Sequence, residues 1–289
     1  MEHRIDPLIA ERAPWLYSGR PGTRIAKRCL NRILGYNTTV EIAKSLEYAP
    51  SEQIMHTMAE RLAKMVDATG LGHIPAHGPA LIVANHPTGI ADGIILNGLI
   101  AAARPDAYFF ANRDILRVFP QMETMIAPVE WRTEQRSHAK TRETMAYVRT
   151  ATEAGRLGVI FPSGRLAKRR GLRLYERPWM ASAAMIARKF DLPVIPVNIQ
   201  ARNSALFYLF DLIHPTLRDI TLFHETLNKA RQPFKVTVGE PISAASIPRN
   251  SEAGIEMLRR ATLALGGKDA PTVNLVATSR AFARPAIGK

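Results

Sequence analysis

The 289-residue sequence predicts an α/β fold, a mixed, mainly parallel sheet flanked by helices, with a helical segment ahead of it. Three observations carry this. Short apolar runs of strand length recur at 80–85, 107–111, 125–129, 157–161, 192–199 and 234–238. Stretches of helical length, 90–103, 134–154 and 178–190, separate several of them. Strands alternating with helices close into a sheet with helices on its faces. The first seventy residues lack that alternation and are patterned for helices.

Taken in order, 22–34 and 38–48 predict two short helices. The stretch 51–69 spaces Ile54, Met55, Met58, Leu62 and Met65 as one apolar stripe ended by Gly70, which predicts a single helix. Of the crossover helices, 134–154 starts after Thr133, an N-cap residue type, and ends at Gly155, a C-cap residue type. The stretch 204–223 carries Leu206, Phe207, Leu209, Phe210, Leu212 and Ile213 before His214 and Pro215 break it. Such a helix fits either a buried core or an insertable surface. A last helix at 252–265 stops at Gly266 and Gly267. The expected organisation is an N-terminal helical segment (1–70), an α/β domain (71–266) and a basic C-terminal tail (267–289).

Lys and Arg number 39 against 25 Asp and Glu, a net charge of +14, which concentrates anionic partners near the chain. Nucleic acid, anionic lipid and acidic carrier proteins all qualify. Aromatic residues make up only 7%, and no zinc-finger spacing, aromatic RNA-binding strand or basic zipper is visible, so no nucleic-acid partner is expected. A single cysteine, Cys29, rules out an intrachain disulfide and a cysteine-based zinc site, and fits a reducing cytoplasm. The first fifteen residues place acids and prolines where a secretory signal needs an apolar core. No run of 18 residues is apolar and free of breakers, so membrane contact is expected to be peripheral.

The chemistry gathers at the ends of two strands. His86 follows the run 80–85, and open α/β sheets bind ligands at the carboxyl ends of their strands. Pro87 and Gly89 allow a tight turn that brings Asp92, at the start of the next helix, back to the imidazole. A carboxylate there accepts from Nδ1–H and leaves Nε2 as a general base. A histidine in a turn and an aspartate that merely caps a helix fit the same spacing. The second strand end, "GVIFPSGRLAKRR" at 158–170, leads into Ser163, Gly164 and Arg165, and an opened backbone beside a guanidinium makes a cradle for phosphate or carboxylate. A basic surface loop fits these residues as well.

Together the blocks resemble the glycerolipid and lysophospholipid acyltransferase family, of the 1-acylglycerol-3-phosphate acyltransferase type. That family carries a His and an Asp four or occasionally five residues apart, and here His86 and Asp92 match the longer spacing. Asn112-Arg113-Asp114-Ile115-Leu116 resembles its second block. Phe161-Pro162-Ser163-Gly164 resembles its Phe-Pro-Glu-Gly block, with Ser163 in place of the glutamate. Val194-Ile195-Pro196-Val197 resembles its fourth, and the resemblance spans roughly 70–245.

The resemblance implies an O-acyltransferase of phospholipid metabolism. His86 would be the base and Asp92 its orienter. Arg113, Ser163, Gly164 and Arg165 would bind the acceptor, a lysophospholipid, glycerol phosphate or related lysolipid. Acyl-CoA or acyl carrier protein would be the donor substrate, with no cofactor and no metal. The place of action would be the cytoplasm, peripherally on the inner face of a membrane. Two other classes stay open: a serine hydrolase with Ser163 as nucleophile, although no G-x-S-x-G elbow is present, and a non-catalytic module binding anionic lipid.

Overall fold

The six apolar runs become strands of one sheet. The computed structural model describes residues 4–130 and 137–280, and its strands and helices are numbered in chain order. The main sheet holds β1 (Val66–Thr69), β2 (Ala80–Ala84), β3 (Tyr108–Asn112), β4 (Ile126–Val129), β5 (Leu157–Ile160), β8 (Val194–Gln200) and β9 (Phe234–Val238) in the order β1-β9-β8-β2-β5-β3-β4. Strands β8, β2, β5, β3 and β4 run parallel; β9 is antiparallel to β8, and β1 runs with β9. A small antiparallel sheet joins β6 (Lys168–Arg170), β7 (Arg173–Tyr175) and β10 (Thr272–Asn274). The sheet is therefore mixed and mainly parallel, as the sequence predicts.

The helices are α1 (Asp6–Arg12), α2 (Pro21–Ile33), α3 (Tyr36–Ser45), α4 (Ser51–Leu62), α5 (Ile90–Ile100), α6 (Asp114–Val118), α7 (His138–Glu153), α8 (Ser182–Lys189), α9 (Ala205–Ile213), α10 (Pro215–Asn228), α11 (Ser251–Ala264) and α12 (Ala277–Arg280). Strand β2 lies at the centre, every residue of it buried. Its side chains alternate between two cores, as the pleat requires. Ile82 and Ala84 join Ile54 and Leu62 of α4 and Ile95 of α5 on one face. Leu81 and Val83 join Val148 of α7, Ala183 of α8 and Leu258 of α11 on the other. Helices α4 and α5 approach so closely that a Cβ on Gly98 would stand 2.8 Å from the Ala59 methyl, so a larger residue there would push α5 away from α4 and disturb the helix that carries Asp92.

At the opposite edge of the sheet, Arg104 is almost fully buried. It pairs with Asp106 through Nε (2.8 Å) and Nη2 (2.7 Å) and donates to the carbonyls of Pro75, Gly78 and Gly155. It thereby ties together the turns that lead into β2 and β5, which fixes where both strands begin.

Three expectations change. The stripe 51–69 is not one helix: α4 ends at Leu62, and Val66–Thr69 forms β1 beside β9. Its residues alternate between half-buried and exposed, a period of two that a helical stripe ending in Met65 conceals. Helix α7 starts at His138 with Ser137 as N-cap, the hydroxyl accepting from Lys140 N–H at 3.2 Å; Thr133 lies outside the described residues. Part of 267–280 is folded, because β10 pairs with β7, whereas 281–289 lie outside the described residues. The stretch 204–223 becomes parts of α9 and α10, broken at His214 as expected. Helix α9 buries Phe207 and exposes Leu209, Leu212 and Ile213, so it is both a core element and a surface one.

Candidate active site

Residue Asn85 fixes the end of β2. Its side chain donates to Ile199 O (2.9 Å) and accepts from Ile199 N–H (2.7 Å) of the neighbouring strand, so the chain leaves the sheet at His86 in one direction. The turn Pro87-Thr88-Gly89 then folds back, with Gly89 at φ +95°, a conformation that L side chains rarely adopt.

The fold-back delivers Asp92, at the third position of α5 and fully buried. Its carboxylate accepts from Thr88 N–H (2.9 Å), Gly89 N–H (3.0 Å) and Thr88 Oγ1 (2.5 Å), while Oδ2 stands 3.0 Å from His86 Nδ1. The Nδ1 contact is out of line for a hydrogen bond, a geometry that catalytic pairs often show without substrate. Asp92 thus caps the helix and faces the imidazole at once; the two readings of the spacing are compatible. The imidazole stacks on Phe161 with ring centroids 4.4 Å apart. Nε2 has no protein partner among the described residues, and the side chain is 18% exposed. The ring is therefore held by one face and one nitrogen and is open at the other.

The second strand end lies alongside. Ala167 N–H donates to His86 O (3.0 Å), so the loop 161–167 runs along the His86 turn. Ser163 is buried, and its hydroxyl donates to Arg165 O (2.8 Å). Gly164 N–H donates to Phe161 O (2.9 Å); the expected anion donor is already engaged in closing its own turn. Arg165 is exposed and has no ion-pair partner among the described residues. Arg113, by contrast, pairs with Glu143 at 2.5 Å, which makes it a poorer anion binder than the sequence implies.

Sequence reasoning did not single out Glu176, Lys229 or Arg202, and met Arg169 only as part of the basic run that follows Arg165. Glu176, just past β7, accepts His86 N–H at 3.2 Å and the Trp179 indole N–H at 3.0 Å. Burial pushes its carboxyl above the usual carboxylate range, an effect that these two bonds, the Ser163 hydroxyl and the imidazole partly offset. Lys229 is fully buried and donates to Glu225 (2.8 Å), Asn203 Oδ1 (2.6 Å), Arg202 O (3.1 Å) and Gln232 Oε1 (3.1 Å). Desolvation lowers it from the ordinary lysine range, against the opposing pull of Glu225 and, further off, of Asp92. Its charge therefore reaches the carboxylate behind His86. Arg169 and Arg202 converge near the Tyr208 ring, Arg169 at 5.8 Å from its centroid, and both Nε atoms are buried without a partner. A basic run at 168–170 was the only available sign of Arg169. The contacts that tie Glu176 to His86, and Lys229 to Arg202 and Asn203, span 90, 27 and 26 residues, so nothing local in the sequence points to them.

Among the described residues no cluster of His, Cys, Asp and Glu is arranged to hold a metal ion. Among the same residues no helix is long and apolar enough to cross a membrane.

Comparison with known proteins agrees with this layout. The sequence profile of the Acyltransferase family matches residues 65–200. The lyso-glycine lipid O-acyltransferase of Phocaeicola vulgatus is 23% identical over 189 residues, 63% of this chain and 66% of that protein, so the match takes in slightly under two thirds of the relative's length. The protein of the same description from Bacteroides thetaiotaomicron is 19% identical over 244 residues, 82% of this chain and 87% of the relative. In fold, the chain is similar to the crystal structure of the 1-acyl-sn-glycerophosphate acyltransferase PlsC from Thermotoga maritima, with a TM-score of 0.50 at 14% identity, covering 84% of this chain and 96% of that one. The matched residues contain β2, β5, His86, Asp92 and the Ser163 turn, and over this part the chain is similar to the Acyltransferase family, with a fold similar to that of PlsC.

Proposed function

We propose that the protein moves a fatty acyl group from acyl-CoA or acyl carrier protein to the hydroxyl of a lysolipid, whether a lysophospholipid, glycerol phosphate or a related lysolipid. The observation that carries this is the imidazole of His86, backed at Nδ1 by a buried carboxylate 3.0 Å away and open at Nε2. Nε2 takes the proton from the acceptor hydroxyl as its oxygen attacks the thioester carbonyl. The tetrahedral intermediate then expels the thiolate, which receives that proton back from His86. The thioester supplies the driving force, so the reaction calls for no cofactor and no metal. Ser163 fits a nucleophile poorly, because its hydroxyl donates to Arg165 O rather than to His86.

The test is incubation of the purified protein with an acyl-CoA and a panel of lysolipids of differing headgroup, followed by mass spectrometry. The proposal expects a diacyl product from at least one acceptor, and release of free fatty acid alone would contradict it.

Arg165 is the group we assign to an anion on the acceptor. Arg165→Ala should raise the acceptor KM about tenfold with kcat nearly unchanged for an anionic acceptor, because it removes binding shared by ground and transition states. KM values for a neutral acceptor should not move, and equal losses for both would contradict the assignment.

Helices α2 and α9 support a reading of peripheral attachment to the inner, anionic face of a membrane. Ala26 and Leu30 of α2 pack with Leu206 and Phe210 of α9 in one cluster. Their outer sides leave Ile25, Ile33, Leu212 and Ile213 exposed, next to Arg24, Lys27, Arg28 and Arg32 on α2. Apolar insertion beside cationic attraction is the pattern of an interfacial helix. The double variant Ile25→Glu/Leu212→Glu should lose most co-sedimentation with phosphatidylglycerol vesicles while keeping its melting temperature.

A further inference from the structure

Resting on the reading of His86 as the base, we infer that Glu176 is a second positioning carboxylate for His86, joined to its main-chain N–H and taking the place of the carboxyl that Ser163 does not provide. The inference starts from geometry. Glu176 is 9% exposed, yet its two oxygens are divided between separate partners: Oε2 accepts from His86 N–H at 3.2 Å and Oε1 from the Trp179 indole at 3.0 Å. A carboxylate carried into a site this dry is retained only where its bonds or its charge matter. Here one bond lands on the backbone of the base itself. The Ser163 hydroxyl and the imidazole both lie close enough to act on this carboxyl and hold its pKa down against burial. Glu176 therefore stands where the two strand ends meet, behind both turns.

Two consequences follow. The bond to His86 N–H, together with the Ala167 bond to His86 O, fixes both main-chain polar groups of the base and hence the direction of its side chain. The negative charge also favours the imidazolium that forms when His86 takes the acceptor proton. Other charged groups around the pair are Asp92 on α5, Lys229 reaching Asp92 from beyond α10, and Glu252, Glu256 and Arg259 of α11 along the roughly 570 Å³ cavity that Glu176 and Trp179 border. Of these, Asp92 alone touches the ring, so loss of Glu176 should weaken the support for the imidazolium and leave some of it in place.

The variant Glu176→Gln tests this. The amide cannot accept from both His86 N–H and Trp179 N–H in either orientation, and it carries no charge. The expected result is a kcat lowered tenfold or more with both KM values within about twofold. Glu176→Asp should recover part of the rate. A folded Glu176→Gln enzyme with kcat within twofold would overturn the inference, because a merely structural role predicts only a lower melting temperature.

A second readout needs neither activity nor the variant. The Trp179 indole N–H resonance should titrate with Glu176, with its midpoint above the usual carboxylate range, and His86→Ala should raise that midpoint further. An unchanged midpoint would show that the two groups do not interact. If the wild type transfers acyl groups to no lysolipid, the proposed function fails, and the Trp179 titration still decides whether Glu176 and His86 are coupled.

Discussion

Replacing His86 by alanine is expected to lower kcat by about 10²–10⁴, the usual contribution of a general base, with the acceptor KM changed little. The side chain supports no other element: its ring lies on Phe161 and against Asp92, and the hydrogen bonds that hold the turn use its main chain. Alanine keeps those main-chain bonds, so the melting temperature should stay within a few degrees of wild type. Steady-state kinetics with a saturating thioester, alongside thermal unfolding, checks both parts. A variant with near-normal kcat would remove His86 from the chemistry.

The second large effect is at Asp92. An asparagine there can place its carbonyl oxygen where Oδ2 now accepts from Thr88 and Gly89 N–H, and its amide can donate to the Thr88 hydroxyl, which rotates to accept. The helix cap therefore survives, and the stability loss should be no more than about 1 kcal/mol. What disappears is the negative charge facing the imidazolium. Loss of one preorganised electrostatic contribution of this kind costs on the order of 10²–10³ in kcat. Asp92→Ala, which removes cap and charge together, should lose both rate and stability. Urea unfolding and kcat measured on the same two variants separate the roles; an Asp92→Asn enzyme with normal kcat would leave Asp92 as a cap alone.

The His86–Asp92 pair was legible because its determinants are local. An apolar run marks β2, a proline and a glycine mark the turn, and six residues of spacing lead to the first turn of α5. The same strand-end argument marked Ser163 and Arg165 as a second turn, whereas the strand order that sets β5 beside β2, and so this turn beside His86, was not legible. What the sequence concealed are interactions between distant segments. Glu176 reaches His86 across 90 residues from the end of a strand only three residues long, too short to show a period. Strand β1 escaped because Met65 continues the apolar spacing of α4, and pairing with β9, some 170 residues away, overrides that local pattern. Arg113 was legible as a basic residue at a strand end, but its capture by Glu143 depends on how α7 packs. Exposure of Leu209, Leu212 and Ile213 with burial of Phe207 likewise depends on how α9 lies against α2 and α10, which the all-round apolar composition of α9 leaves open.

The most direct test of direct acyl transfer to a lysolipid follows the acyl group itself. A radiolabelled acyl thioester is supplied to the wild-type protein with and without a lysolipid acceptor, and the label is divided among diacyl lipid, free fatty acid and protein. The account predicts that, with acceptor, the label passes into diacyl lipid, and that without it the thioester persists with no stoichiometric label on the protein. A stoichiometric adduct on Ser163, or label recovered as free fatty acid whether or not acceptor is present, would contradict it.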